Sequence, residues 1–160
     1  NASSRCGISM TGIDINEQAI EQARNQLDRE RPLLKGSATF LHGDLRDAAF
    51  LQGLGAFDQV VCNPPYHRLR HGRIPASAEQ AAARHEITCT LTDVIRAASA
   101  ALKVGGIFSL VHLPSREEEI IQELRRHSFS HHCVNHVSAE GHSEVRLILI
   151  RAMKEERSQS

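Results

Sequence analysis

The sequence predicts an α/β protein built on a mostly parallel sheet, and three observations carry that prediction. Short apolar runs of strand length alternate with amphipathic helical segments along the chain. Asp14, Asp44 and Asn63 each follow one of those runs closely, so polar side chains collect where strands end. The last two apolar runs, 132–138 and 144–152, read as a closing antiparallel pair. Parallel strands joined by helices need right-handed crossovers. Ligands of such sheets sit beyond the carboxyl ends of the strands. The three polar residues are therefore expected to converge on one edge.

Taken in order, ISMTGIDI (8–15) is a short strand ending at an aspartate. NEQAIEQARNQLDRE (16–30) is a helix with Ala19, Ile20, Ala23 and Leu27 on one face and Asn16 as N-cap. ATFLHGDL (38–45) is a second strand and DAAFLQGL (47–54) a short helix. FDQVVCN (57–63) is a third strand, followed by an Arg- and His-rich loop over 67–78. A long helical region spans 79–102, with a bend expected near Thr88–Thr92 and a glycine stop in KVGG (103–106). GIFSLVH (106–112) is a central strand by its apolar run. Ser115 and Glu118 have capping-box spacing and open a helix to Arg126. Glu117, Glu118 and Glu119 suit that helix's N-terminus, and Arg125 and Arg126 its C-terminus.

The chain has 160 residues, 41% apolar and 24% charged, which suits one globular domain. We place that domain at 1–153, with a frayed tail at 154–160. No apolar run is long enough for a spanning helix, and the N-terminal residues lack a signal-peptide layout. No membrane partner is expected. The four cysteines are scattered and form no zinc spacing, so they read as reduced thiols of a cytoplasmic protein. His127, His131, His132 and His136 cluster without metal-ligand spacing and read as solvated loop histidines, so no metal is expected. Net charge is zero, which lends no global support to a nucleic-acid partner. Locally, Arg68, Arg70, Arg73 and Arg84 stand among His67, His71 and His85, with Glu79 the single acid between His67 and His85. That stretch is either a solvated basic loop or a surface for phosphates.

Asp14 can accept hydrogen bonds from both hydroxyls of a ribose, or serve as a carboxylate at the N-terminus of the helix that follows. Asp44 can accept from an adenine amino group, or shape the turn after Gly43. CNPPYH (62–67) is more specific. An exocyclic aromatic amine is a poor nucleophile because its lone pair is conjugated into the ring. A site that alkylates it must hold both N–H bonds and turn the lone pair toward the electrophile. The amide oxygen of Asn63 is one acceptor and the main-chain carbonyl of Pro64 the other. Pro65 stiffens the turn, with no N–H and a restricted φ. Tyr66 can stack on a base taken out of its helix or loop. Such a site needs no nucleophile and no general base. It works by positioning, worth roughly 7–11 kcal/mol when the reacting atoms are aligned.

An N-P-P-Y run directly after a buried strand resembles the signature of the amino-directed methyltransferases of the class I, S-adenosylmethionine-dependent fold, a Rossmann-like sheet. The resemblance covers nearly the whole chain. Asp14 would end that family's second strand, Asp44 its third and Asn63 its fourth, with GIFSLVH as the fifth. Within the class, the stretch from NPPYHRLRHGRIPAS through ARHE (83–86) to GIFSLVH is similar to the small bacterial methyltransferases acting on adenine 37 N6 of valine tRNA. The resemblance implies S-adenosylmethionine as cofactor and tRNA as partner. It implies cofactor contacts at Asp14, Ile15, Asp44, Leu45 and Asn63, amine and base contacts at Asn63, Pro64, Pro65 and Tyr66, and RNA contacts at Arg73, Arg84, His85 and Glu86. VHLPSR (111–116) departs from that family's VHRPER, with Leu113 where an arginine is expected.

Another N-methyltransferase substrate (rRNA, DNA or a protein glutamine) would use the same turn, although ARHE and the basic loop speak against glutamine. The family's opening strand and glycine-rich loop are not found here. Gly7 and Gly12 lack its spacing. In the family order that strand lies mid-sheet, so without it the sheet is expected to be split and half of the cofactor site missing. Either the chain is a fragment of a longer protein, which we favour, or it is natively short. The fragment reading predicts weak or no binding of S-adenosylmethionine, and leaves room for an inactive remnant or binding module.

Overall fold

The computed structural model describes residues 7–30, 36–64, 89–138 and 144–156. Six strands and four helices are described, in an order that matches the sequence prediction. β1 (Ser9–Asp14), α1 (Glu17–Glu30), β2 (Ser37–His42) and α2 (Ala48–Gly53) come first. β3 (Phe57–Cys62), α3 (Leu91–Ala101), β4 (Leu102–His112) and α4 (Glu117–Arg126) follow. β5 (Phe129–Ser138) and β6 (Val145–Lys154) close the chain. The strands form two sheets, β1–β2 and β3–β4–β6–β5. The chain divides into two units, 1–50 and 51–160.

In the first unit β1 and β2 pair in parallel, with Asp14 opposite His42. α1 turns Ile20, 4% exposed, inward beside half-buried Ala19, Ala23 and Leu27. Asn16 Oδ1 accepts the amides of Gln18 and Ala19, the cap read from the sequence. Arg24 crosses to β2 and donates to the Phe40 carbonyl through Nε and Nη2.

In the second unit β3 and β4 pair in parallel, while β6 runs antiparallel between β4 and β5. The predicted closing pair is therefore present. Its second strand docks on the central one. Alternate residues of β4 (Leu102, Gly106, Phe108, Leu110 and His112) are buried. Leu102, Phe108 and Leu110 meet Leu91, Val94, Ile95 and Ala98 of α3 and Ile120 and Leu124 of α4 in one core. The Phe108 and Phe129 rings lie 5.6 Å apart at 35°.

The two-sheet arrangement agrees with the expectation of a split sheet. β1 is an edge strand, with Met10 and the preceding Ile8 exposed. β3 is an edge strand of the other sheet and exposes Val61.

Three details differ from prediction. First, α3 begins at Leu91 behind Thr90, whose Oγ1 accepts the Asp93 amide while Asp93 accepts the Thr90 amide. This is a capping box where the sequence reading expected only a bend. The predicted helical stretch 79–88 lies outside the described residues. Second, the glycine stop is absent. The chain passes from α3 directly into β4, and Lys103–Gly106 belongs to the strand. Lys154 replaces that stop, its Nζ donating to the carbonyls of Ser99 (2.5 Å) and Leu102 (2.7 Å). Gly105, at φ 80°, instead serves the irregular pairing between Phe57↔Leu102 and Gln59↔Ile107. Third, the Ser115/Glu118 capping box does not form. Pro114 opens a 3-10 turn over Pro114–Arg116, so Ser115 is already inside a turn and α4 starts without a side-chain cap. Thr90→Ala is expected to destabilise the second unit by about 1 kcal/mol. Its chemical denaturation midpoint would then fall while the slope of the transition stays unchanged.

Candidate active site

The predicted site residues within the described chain follow the carboxyl ends of strands, and each unit is taken by itself. In the first unit Asp14 ends β1. One carboxylate oxygen accepts the Asn16 amide at 2.7 Å, and the Asp14 carbonyl accepts the Gly43 amide at 3.0 Å. The Ile15 carbonyl meets His42 Nε2 at 2.9 Å. The turn after β1 is thus tied to the turn after β2, and both aspartates share one sheet edge. Asp14 is exposed, with Oδ2 unpartnered among the described residues. That fits acceptance from a vicinal diol. The same carboxylate sits at the first turn of α1, the turn role read from the sequence.

Asp44 is engaged by its own turn. Arg46 Nε lies 3.0 and 3.1 Å from its two oxygens, Arg46 Nη2 is 2.5 Å from Oδ2, and the Arg46 amide donates to Oδ1 at 2.8 Å. These hydrogen bonds hold the Asp44 carboxyl below the usual carboxylate range. The turn role of Asp44 is therefore realised, and its acceptor capacity is already largely engaged by a residue that sequence reasoning passed over. An Asp followed two residues later by Arg was the available signal. Gly43 lets the Phe50 ring pack close to the turn, since a Cβ would stand 2.2 Å from that ring and would make it shift. Leu45 lies in the same turn.

In the second unit β3 runs parallel to β4 with Cys62 opposite Leu110, and the chain then enters Asn63 and Pro64. Asn63 is exposed and Pro64 half-buried. Asn63 thus stands at the carboxyl end of β3. Cys62 packs on the core, and burial, then nearby Cys89, pushes its thiol up to about 11. It is a protonated core thiol that fixes the root of the turn, not a nucleophile. Asp58, at the other end of β3, pairs with Lys103 at 2.7 Å. Pro65, Tyr66, Arg73, Arg84, His85 and Glu86 lie outside the described residues, as does the basic loop.

One residue at this edge went unread in the sequence. His112 ends β4 and is 2% exposed. Its Nδ1 accepts the Leu113 amide at 2.8 Å. Burial, then nearby Arg116, lowers its pKa, against an opposing effect of Glu119. The ring is therefore neutral, with its proton on Nε2. A histidine closing the apolar run GIFSLVH was the signal. Arg116 is held bidentately by Glu119 at 2.8 and 2.5 Å, which raises its pKa further.

Among the described residues no group of three or more His, Cys, Asp and Glu could hold a metal. His127 lies 3.8 Å from Glu123 and His136 is 2.8 Å from Glu117. No described helix is long and apolar enough to cross a membrane.

Comparison with known proteins bears on this arrangement. A family described as a methyltransferase domain matches residues 1–85. The tRNA1(Val) (adenine(37)-N6)-methyltransferase of Shewanella sp. (strain MR-4) is 32% identical over 111 residues, which is 69% of this chain and 45% of that protein. The chain thus spans about half the length of this curated relative. Among solved structures, a predicted O-methyltransferase from Agrobacterium tumefaciens superposes with a TM-score of 0.68 at 24% identity, covering 92% of this chain and 62% of that one. TrmN from Thermus thermophilus superposes with a TM-score of 0.62 at 19% identity, covering 90% and 36%. Both superpositions share the Rossmann-like fold. With a family match over more than half of its residues, this chain belongs to the methyltransferase-domain family, the class I S-adenosylmethionine-dependent methyltransferases.

Proposed function

We propose that this chain carries the amine-holding site of a tRNA adenine-N6 methyltransferase. The observation that carries the reading is the exit of β3 into Asn63–Pro64, an exposed amide on a half-buried proline at the carboxyl edge of the sheet. The similarity to an adenine-37 N6 enzyme supports the choice of amine and RNA.

Asn63 Oδ1 and the Pro64 carbonyl accept the two N–H bonds of the adenine amine, and Pro65 keeps that carbonyl from turning. Tyr66 stacks on the extruded base. Arg73, Arg84, His85 and Glu86 shape the RNA side, with phosphate contacts holding register. S-adenosylmethionine supplies an electrophilic methyl group when bound. Asp14 accepts from its ribose hydroxyls, a role its exposed, half-engaged carboxylate fits. Ile15 and Leu45 flank the adenine. Asp44 receives the cofactor's amino group only as Arg46 yields part of the carboxylate. The described residues fit the ribose end of the cofactor best. The partner is tRNA, in the cytoplasm.

Nucleoside mass spectrometry tests the reading. tRNA from a strain lacking the gene is expected to lose N6-methyladenosine, and the gene should restore it. Unchanged tRNA digests would overturn the proposal.

A further inference from the structure

We propose that the Arg46 side chain competes with a ligand's exocyclic amine for the Asp44 carboxylate, and so sets how strongly the turn after β2 takes an adenine ring, which rests on the adenine-accepting role given to Asp44. All the groups involved belong to the first unit.

The turn consists of a fixed frame and one movable group. The Asp14 carbonyl accepts the Gly43 amide at 3.0 Å, and the Asp44 carbonyl accepts the Asp47 amide at 3.1 Å. Asp47 Oδ1 in turn accepts the amides of Ala49 and Phe50 at 2.9 and 3.1 Å. The main chain is thus held on both sides of Asp44. From that main chain the Arg46 amide, 2.8 Å from Asp44 Oδ1, orients the carboxylate. The other oxygen is covered by a side chain. Arg46 Nη2 lies 2.5 Å and Nε 3.1 Å from Oδ2, and Nε is also 3.0 Å from Oδ1. A carboxylate has about four lone-pair sites. These contacts use most of them, so a ligand's donor gains full access to Oδ2 only when the guanidinium turns away.

Turning away costs little. The Arg46 and Asp44 side chains are 40% and 30% exposed, so water replaces much of what each loses. The guanidinium swings on its own side chain, while the Arg46 amide keeps its hold on Oδ1. The competition is therefore graded rather than blocking, about two- to fivefold in affinity, the range for exposed ion pairs. It is selective, because it opposes a ligand that donates to Oδ2 and not one that offers no donor there. It also weakens with salt, because mobile ions screen an exposed pair.

NMR of the full chain with adenosine and inosine tests this without turnover. Both probes are uncharged, so salt acts on the protein pair, and inosine has an oxygen where adenosine has its amine. Without ligand, the Asp44 carboxyl signal is expected to titrate below the usual carboxylate range and to move toward that range in Arg46→Met. With adenosine, the Asp44 shift should saturate at about two- to fivefold lower concentration in Arg46→Met than in wild type. Inosine should show no such gain. Added salt should tighten adenosine binding in wild type and leave Arg46→Met unchanged. Arg46→Lys, which keeps the charge and loses the two-pronged grip, should fall between.

An Asp44 that titrates in the ordinary range in wild type overturns the proposal. Equal adenosine affinity in wild type and Arg46→Met does so too. Weaker binding in Arg46→Met would make the arginine a ligand contact, and equal gains for both nucleosides would make it a plain obstruction. Each of these last two results refutes the competition for the amine and leaves Asp44 as a ligand-binding position. Asp44 signals that ignore adenosine in both proteins instead remove the adenine role of Asp44, and the competition falls with it.

Discussion

Asn63→Ala is expected to reduce methyl transfer to tRNA by roughly 10²–10³-fold, the scale of losing one preorganised hydrogen-bonding group at a reacting centre. Affinity for S-adenosylmethionine should change little, since the ribose and adenine contacts proposed above belong to the turns after β1 and β2. The contrast is what makes the experiment informative. On the proposed reading, alanine removes the acceptor for one amine N–H, so the amine can rotate and its lone pair returns to conjugation with the ring. Asn63 is exposed and stands beyond the end of β3, so its truncation leaves no cavity and breaks no ladder pair. Single-turnover kinetics with calorimetry would separate the two quantities. Wild-type transfer rates in Asn63→Ala would refute the amine-holding role. An equal loss of cofactor binding would move the residue's role to the cofactor.

Phe108→Ala is expected to cost the second unit about 3–5 kcal/mol, the range for deleting a buried aromatic ring. Phe108 is 1% exposed on the central strand. It is flanked by β3 and β6 through Val60 and Ala152, and its ring meets Phe129. Deleting it would open a void in the core that Phe108 shares with residues of α3 and α4. A denaturation midpoint within error of wild type would show that this core does not dominate stability. By comparison, Val61→Ala on the same sheet should cost within about 0.5 kcal/mol, because Val61 is 70% exposed.

The strands were legible because their signal is local. Period-two burial on β4 and helical spacing on α1 need only neighbouring residues to appear in sequence. The Asn16 cap was legible for the same reason. The Ser115/Glu118 box was not, because Pro114 takes the chain into a tighter turn one residue before the cap would sit. The end of α3 was misread because its partner is remote. Lys154 lies 52 residues from Leu102 in the chain, and no reading of KVGG alone could show that a lysine from the last strand satisfies those carbonyls.

The candidate site divides in the same way. The family and the positions of Asp14, Asp44 and Asn63 at strand ends were legible in the sequence itself, because they are short runs of chemically unusual residues after apolar runs. The expected split into two sheets is seen among the described residues. The tertiary structure alone decided the states of those residues. Asp44 is engaged by Arg46, Asp14 is half-engaged and exposed, Cys62 is a protonated core thiol, and His112 is a buried neutral ring at the edge that carries Asn63. Each depends on burial and on which donors and charges come close. Those are properties of the packed chain, which residue type and spacing do not encode.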